Sequence, residues 1–256
     1  MVPTILKYGF NPENYSNYLF ALEVAHEIPS NSIVLDAGAG SCPYAHLHRE
    51  HNYITTDFGG DHTVRDAVNH DFFSDVSHLP MSDDSFDAVI CYQVLEHVPY
   101  PAQVVAELYR NLRPGGWLYV TVPQGWGLHH EPYHFFNHTR YGLELLFKDA
   151  GFEHISIEER GGIFWLLSHR LNLLSYYILF QYLYPIIKPK KAKEIGLQTS
   201  LARNLLSFMF ILPFYIIFWP LTTLVIPILF FVMDPFDQRR LYTLGYKCKC
   251  QKGSKG

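Results

Sequence analysis

Apolar and polar positions keep two different rhythms along this chain. From about residue 31 to 160, short β-branched or apolar runs alternate with stretches at helical spacing, the pattern of a parallel sheet covered by helices. "SIVLD" at 32–36 reads as a buried strand and "YITTD" at 53–57 as a second, with "AHLHREH" between them helical in tendency. "FDAVICYQ" at 86–93 is a longer strand behind the turn-forming "SDDS". Pro101 opens a helix in which Val105, Leu108 and Leu112 recur at helical spacing until "RPGG" stops it, and "WLYVTVP" is the next strand. Thr139 is the expected N-cap of "RYGLELLFKDA", whose Leu143, Leu146, Phe147 and Ala150 share one face. Gly151 stands where a left-handed C-terminal residue belongs, and "HISIEE" then alternates as a strand.

The second rhythm begins after Gly161 and Gly162. "IFWLLSHRLNLLSYYILFQYLYPII" is apolar but interrupted by His169, Arg170, Asn172 and Gln181, which suits an interfacial helix better than a membrane span. A basic connector, "KPKKAKE", follows. Then come thirty residues between Arg203 and Asp234 without a charge. As one straight helix they would run roughly 45 Å, against roughly 30 Å of bilayer hydrocarbon. Pro213, Pro220 and Pro227 recur every seventh residue, hence on nearly one helical face, so a shallow hairpin that dips in and returns is expected. "RRLYTLGYKCKC" closes the chain as a further strand, with Leu241, Thr243 and Gly245 alternating against Tyr242, Leu244 and Tyr246.

Composition sharpens this division. The 256 residues suffice for one α/β domain with an appendage, and a net charge of −4 speaks against a nucleic-acid binder working through bulk positive charge. Cys42, Cys91, Cys248 and Cys250 follow no disulfide framework, and the opening residues lack a cleavable-signal pattern, so the polar front is expected in a reducing cytosol. Cys248 and Cys250 are expected as free thiols on a terminal strand. His46, His48 and His51 read as a solvated face with only the last two close together, and no metal is expected.

The candidate ligand site is "VLDAGAGSCP", an acid at a strand end followed by glycines. Glycines let backbone approach a ligand, as nucleotide sites require. The dinucleotide form G-x-G-x-x-G fails because Pro43 takes the third position, which disfavours a nicotinamide oxidoreductase, and no G-x-x-x-x-G-K loop occurs. The remaining D-x-G-x-G pattern resembles the first motif of class I S-adenosylmethionine-dependent methyltransferases, in particular the type 11 group. "YITTDF" is similar to the second motif, "SDVSHLPMSDDSFDAVICYQVLEHV" to the third and fourth, and "LRPGGWLYVTVP" to the post-catalytic motif.

The resemblance covers residues 31 to 160 and implies a doubly wound, mostly parallel seven-stranded sheet, the Rossmann-like methyltransferase fold. It implies S-adenosylmethionine as cofactor, bound by Asp36, Gly38 and Gly40, with Asp57 on the ribose hydroxyls, Asp75 and Val76 at the adenine, and Tyr92 and Gln93 at the methionine end. "HHEPYHFFNHTRYGLELLFKDAGF" resembles a subgroup acting on sugars, lipids or lipid-linked intermediates. His130 or His134 is the candidate base, with Glu131 orienting it or sharing the role; a loop that merely packs over the cofactor is the competing reading. Glu96 and His97 match the family pattern, with helix capping as their alternative role.

The chain is thus expected to divide into an N-terminal helical cover (1–30), the cofactor-binding core (31–160), a membrane-associated helical insertion (161–237) and a closing strand with a basic tail (238–256). The insertion lies between two neighbouring strands, so the chain crosses a bilayer an even number of times, counting zero. Two full spans with the basic connector outside is the less favoured topology, because it opposes the positive-inside tendency and buries Arg170. The expected function is methyl transfer to an amphiphilic or lipid-linked acceptor, by O- or C-methylation, from a catalytic domain on the cytoplasmic face of a membrane. A non-catalytic, cofactor-binding membrane adaptor is the alternative from another class.

Overall fold

A computed structural model describes residues 11–59, 69–194, 196–197 and 200–254. They form two units: Ser16–Arg160 with the closing strand from Thr243, and Gly161–Tyr242 with the first turn of the N-terminal helix. The elements are α1 (Pro12–Glu27), β1 (Ile33–Ala37), β2 (Asn52–Asp57), β3 (Phe72–Phe73), β4 (Phe86–Tyr92), α2 (Pro101–Asn111), β5 (Leu112–Pro123), α3 (Arg140–Asp149) and β6 (Phe152–Glu159). They continue with α4 (Ile163–Ile187), α5 (Pro189–Glu194), α6 (Leu201–Pro220), α7 (Ile226–Met233) and β7 (Gly245–Lys252).

In the first unit the strands form one seven-stranded sheet in the order β3-β2-β1-β4-β5-β7-β6. The first five pair in parallel, and β7 runs antiparallel between β5 and β6. Successive residues of a strand point to opposite faces, so a buried sheet reads as a continuous apolar run. Leu35, Val89, Leu118 and Val120 pack on one face with Val105 and Leu108 of α2 and Leu143 and Phe147 of α3. Their neighbours Val34, Ala88, Ile90 and Tyr119 pack on the other with Phe20 and Val24 of α1 and with Ile28 just after it. Glu23 accepts from Lys247 (3.1 Å) and Lys249 (2.5 Å) of β7, which ties α1 to the sheet. Buried Arg160 does the same from beneath, donating to Asn17 Oδ1 (2.7 Å), Ser16 Oγ (3.2 Å) and the carbonyls of Val122 and Tyr246.

The Thr139 cap is present, its hydroxyl accepting from Gly142 N at 3.2 Å, and Gly151 has φ +94°. Two local expectations fail. "AHLHREH" makes only a 3₁₀ turn over Ala45–Leu47, because Cys42 is held at φ +51° and Pro43 follows it. His48 is therefore not on a solvated face. Its buried ring stacks on Tyr53 with centroids 4.8 Å apart, its Nδ1 lies 3.2 Å from that of His51, and burial lowers its pKa to about 4. The last strand begins at Gly245 rather than Leu241; Leu241 and Tyr242 are exposed, while Tyr246, Cys248 and Cys250 carry its buried face. All four cysteines are free.

In the second unit α4 packs along both α6 and α7. The chain does not turn back at the three prolines, as the expected shallow hairpin required. Helix continues through Pro213, and at Pro220 the winding widens to a π turn over Leu221–Val225 before α7 carries on. Thr222 and Thr223 stitch this stretch by donating to the Phe218 and Trp219 carbonyls at 2.9 and 2.5 Å, so backbone acceptors stay satisfied where the ladder is disturbed. The limbs of the hairpin are α4 and the continuous helix from α6 to α7, and the basic connector, as α5, lies between them in sequence.

The return limb also caps α4. Gly162 N and Trp165 N donate to Asp234 Oδ1 at 2.9 and 3.1 Å, and Ile163 N to Asp237 Oδ2 at 2.8 Å, supplying acceptors to donors that the helix itself leaves open. Asp234→Ala is expected to lower stability by about 1 to 2 kcal/mol. Urea denaturation measures it, and an unchanged midpoint would remove capping as the role of this carboxylate.

Candidate active site

The glycine turn sits at the end of β1, held against β2. Gly38 N and Ala39 N donate to Thr56 O at 2.9 and 3.0 Å. Gly38 has φ +81°, and a Cβ there would lie 2.5 Å from Val94 Cγ2, so both the backbone angle and the space demand glycine. Gly40 has φ +54° but faces open space, with nothing within 4 Å of where a Cβ would stand. A ligand can reach the backbone there. Gly40 N donates to Asp57 Oδ2 at 2.6 Å, and Asp57 Oδ1 accepts from Phe58 N at 2.7 Å, which fixes the second-motif carboxylate beside the turn.

Asp36 lies beneath this turn, 5% exposed, and accepts a hydrogen bond from the Tyr53 hydroxyl. Burial, only partly opposed by that bond and reinforced by the nearby Asp57 charge, raises its pKa to about 7. The end of β4 borders the same region through the contact of Val94 with Gly38. Tyr92 packs between Phe20 and Tyr44, with ring centroids 5.7 and 6.0 Å away, and burial holds its hydroxyl well above the usual tyrosine range. Gln93 adopts φ +57°, an uncommon angle for a residue with a side chain, and its Nε2 donates to Thr121 Oγ1 at 3.2 Å. Asp75 is exposed and its carboxylate closes its own turn on Ser77 N and Oγ, at 2.8 and 2.7 Å; Val76 belongs to the core.

The loop after β5 folds over the 3₁₀ turn Leu95–His97 that follows β4. Phe135 N donates to Glu96 O at 2.8 Å, and Tyr133 O accepts from His97 Nδ1 at 2.7 Å. Four imidazoles meet as a result. The His97 ring lies 4.8, 5.2 and 5.9 Å from those of His129, His130 and His134, and His129 lies 4.3 Å from His134. Burial depresses the His97 pKa to about 4, so its ring is neutral in ordinary buffers. His130 and His134 are thus brought together, whereas the Glu131 side chain is exposed. The buried carboxylate of the group is Glu96, fully inaccessible, with Oε1 3.9 Å from His97 Nε2. The sequence left Glu96 and His97 between the family pattern and helix capping, without a chemical role, and passed over His129; "LEHV" directly after the strand 86–92 was the available signal.

Comparison with known proteins bears on the fold that carries these residues. Residues 35–120 match the family described as a methyltransferase domain. An uncharacterized protein of Methanocaldococcus jannaschii is 31% identical over 129 residues, covering 44% of this chain and 57% of that protein. A probable S-adenosylmethionine-dependent methyltransferase of Mycolicibacterium smegmatis is 36% identical over 95 residues, 35% of this chain and 36% of that one. A ubiquinone biosynthesis O-methyltransferase of Thiobacillus denitrificans is 40% identical over 56 residues, 22% and 24% of the two chains. The chain therefore spans at most 57% of the length of these curated relatives. Among solved structures, a SAM-dependent methyltransferase from Archaeoglobus fulgidus shares the fold at a TM-score of 0.52, with 15% identity over 92% of this chain and 94% of its own. The [4+2]-cyclase SpnF shares it at 0.53, with 17% identity over 94% and 82%. Over residues 35–120 the chain thus matches a methyltransferase domain, and its sheet has the class I fold of S-adenosylmethionine-dependent methyltransferases, for which S-adenosylmethionine is the cofactor. The residues present fit it: the turn offers open backbone at Gly40 and the carboxylates of Asp36 and Asp57 to a positively charged ligand.

Asp36 supplies a pH test. In the cofactor-free fold it keeps its proton up to about pH 7, against an ordinary value of 3.8. Its protonation thus favours folding, fully so below about pH 4, and the contribution is lost as pH rises through about 7. The melting temperature of Asp36→Asn is expected to fall less than that of the native protein between pH 5 and 8. Parallel profiles would mean that Asp36 is ionised throughout this window.

Proposed function

We propose that the protein transfers the methyl group of S-adenosylmethionine to an amphiphilic or lipid-linked acceptor at the cytosolic face of a membrane. The observation that carries this reading is the turn in which Gly40 and Asp57 share a hydrogen bond, one strand away from the histidine group that follows β4. Asp57 holds the ribose hydroxyls, Asp36, Gly38 and Gly40 receive the amino-acid end, Asp75 and Val76 border the adenine, and Tyr92 and Gln93 face the methionine end. When bound, the cofactor supplies an electrophilic methyl on a sulfonium whose leaving thioether needs no protonation. The chain then has to orient an acceptor and take its proton. His134 is assigned as the base, since its two ring nitrogens are shielded from solvent and carry no hydrogen bond; His130 stands beside it, and Glu131 lines the approach from solvent.

The hairpin α4–α7 is assigned to the bilayer surface. Helix Tyr215–Phe236 is long and apolar enough to span, with mean hydropathy 2.4 and almost all of its most apolar stretch exposed. Crossing would carry Lys188, Lys190, Lys191 and Lys193 through the hydrocarbon and leave them on the outer face, against the positive-inside tendency. Lying in the interface instead, the apolar limbs enter the acyl region and the lysines meet anionic headgroups. A prenylated phenol is the acceptor favoured by the local similarity to ubiquinone biosynthesis O-methyltransferases.

Incubation with methyl-labelled S-adenosylmethionine and total membrane lipid is expected to label a lipid-soluble species. Asp57→Ala should abolish labelling and weaken cofactor binding at least tenfold by calorimetry. Unchanged affinity in this variant would refute the ribose assignment, and cofactor binding without any labelled product would favour the adaptor reading. The protein should also float with anionic vesicles, and at about 1 kcal/mol per lysine the quadruple substitution of Lys188, Lys190, Lys191 and Lys193 by glutamine should weaken that binding at least tenfold. Protease added outside the vesicles should cut the connector; protection of the connector would show that the hairpin crosses.

A further inference from the structure

We propose that Glu96, His97 and His129 form a binding site for one divalent transition-metal ion of the zinc class. One ligand atom from each of the three lies within 4.8 Å of the others. Contact distances alone would describe many polar clusters. What distinguishes this one is how the two imidazoles are oriented.

His97 Nδ1 is 2.7 Å from the Tyr133 carbonyl, and His129 Nδ1 is 3.0 Å from the Gly127 carbonyl. A carbonyl oxygen can only accept, so each ring carries a proton on Nδ1, and in the neutral form of the ring the lone pair is on Nε2. This is the arrangement that metal-binding histidines adopt, in which a backbone acceptor on one nitrogen sets the tautomer and aims the other at the ion. The lone pair of His97 faces the Glu96 carboxylate, with Nε2 and Oε1 3.9 Å apart, and that carboxylate is buried. A buried carboxylate beside two imidazole nitrogens offers a cation three converging ligand atoms, and the ion offsets the desolvation of the carboxylate.

The donor set indicates the kind of ion. Two imidazoles and one carboxylate, with no thiolate, suit zinc, cobalt or manganese rather than a soft monovalent metal, and are too rich in nitrogen for calcium or magnesium. Three protein ligands leave a coordination position open, as catalytic rather than structural zinc sites do. His134 stays outside the set. Its ring is 4.3 Å from that of His129, and its unbonded nitrogens place a base next to whatever fills the open position.

A role for the ion in methyl transfer rests on the function proposed above; the binding of the ion does not. In that role a hydroxyl of the acceptor coordinates at the open position and loses its proton to His134. The resulting oxygen forms the new O–C bond as the C–S bond breaks and its electron pair goes to sulfur. Val94, two residues before Glu96, packs on Gly38, so one short segment serves both the cofactor turn and the metal ligands.

The test uses the full chain without an affinity tag, stripped with a chelator and titrated with Co²⁺. One equivalent is expected to bind with the intense visible absorption of a low-coordinate cobalt site, and zinc should displace it. His97→Ala and His129→Ala should each weaken cobalt binding at least tenfold, while His46→Ala, remote from the cluster, leaves it unchanged. Because Glu96 is buried and its replacement endangers folding, His129→Ala carries the test, with circular dichroism and calorimetry of S-adenosylmethionine binding verifying an intact domain. Cobalt that keeps the spectrum of the aqueous ion, or that binds the native protein and His129→Ala alike, would overturn the site. Metal binding without lipid labelling would sink the proposed function and leave the site standing; labelling that survives complete metal removal would deny the ion its role in transfer.

Discussion

The insertion of β7 between β5 and β6 is the constraint on which the rest of the molecule depends. Its antiparallel ladder runs from Gly245 to Gln251 against β5 and from Tyr246 to Lys252 against β6. The pairing brings Arg160 N to 2.8 Å from Gly245 O and Thr243 Oγ1 to 3.3 Å from Arg160 O. Everything from 161 to 242 must leave and return at that point. The same strand presents Lys247 and Lys249 to Glu23, and Arg160 to α1, so the helix covering one sheet face is positioned by the last strand of the chain. These half-buried ion pairs select an orientation for a helix that Phe20 and Val24 already bind through apolar burial.

The ligand edge is electrostatically suited to a cation rather than a polyphosphate. Asp36 and Asp57 converge on the glycine turn, and no long helix begins after it to offer the positive end of a dipole. A buried acid with a pKa near 7 exists at a cost in the empty fold, and a positively charged ligand relieves that cost by favouring the ionised form. The shortened turn after β1 and the raised acid are two expressions of one preference.

Much of the sheet was legible because its strands are buried on both faces and read as unbroken apolar runs, as in Val34–Leu35 and Ala88–Cys91. Thr139 and Gly151 marked their helix by local chemistry that tertiary contacts did not need to override. Legibility failed where a distant contact decides. The path of the chain after Gly40 is governed by Cys42 and Pro43, and the burial of His48 by a partner strand, neither of which helical spacing reports. The prolines of the apolar limb announced a reversal, but packing along α4 and the threonine hydroxyls kept the helix running. Glu96, His97 and His129 escaped for the same reason: they come from two loops, and only the fold of 124–139 over the end of β4 makes them neighbours.

The pinch at Arg160 and Thr243 has one more consequence. A few residues of ordinary hairpin turn would close the same ladder, so the apolar helices enter the chain at a seam where strand pairing does not depend on the length of what is inserted. Substitution of their exposed apolar residues leaves strand register untouched. The length of the insertion and the register of the sheet are thus set by separate parts of one polypeptide.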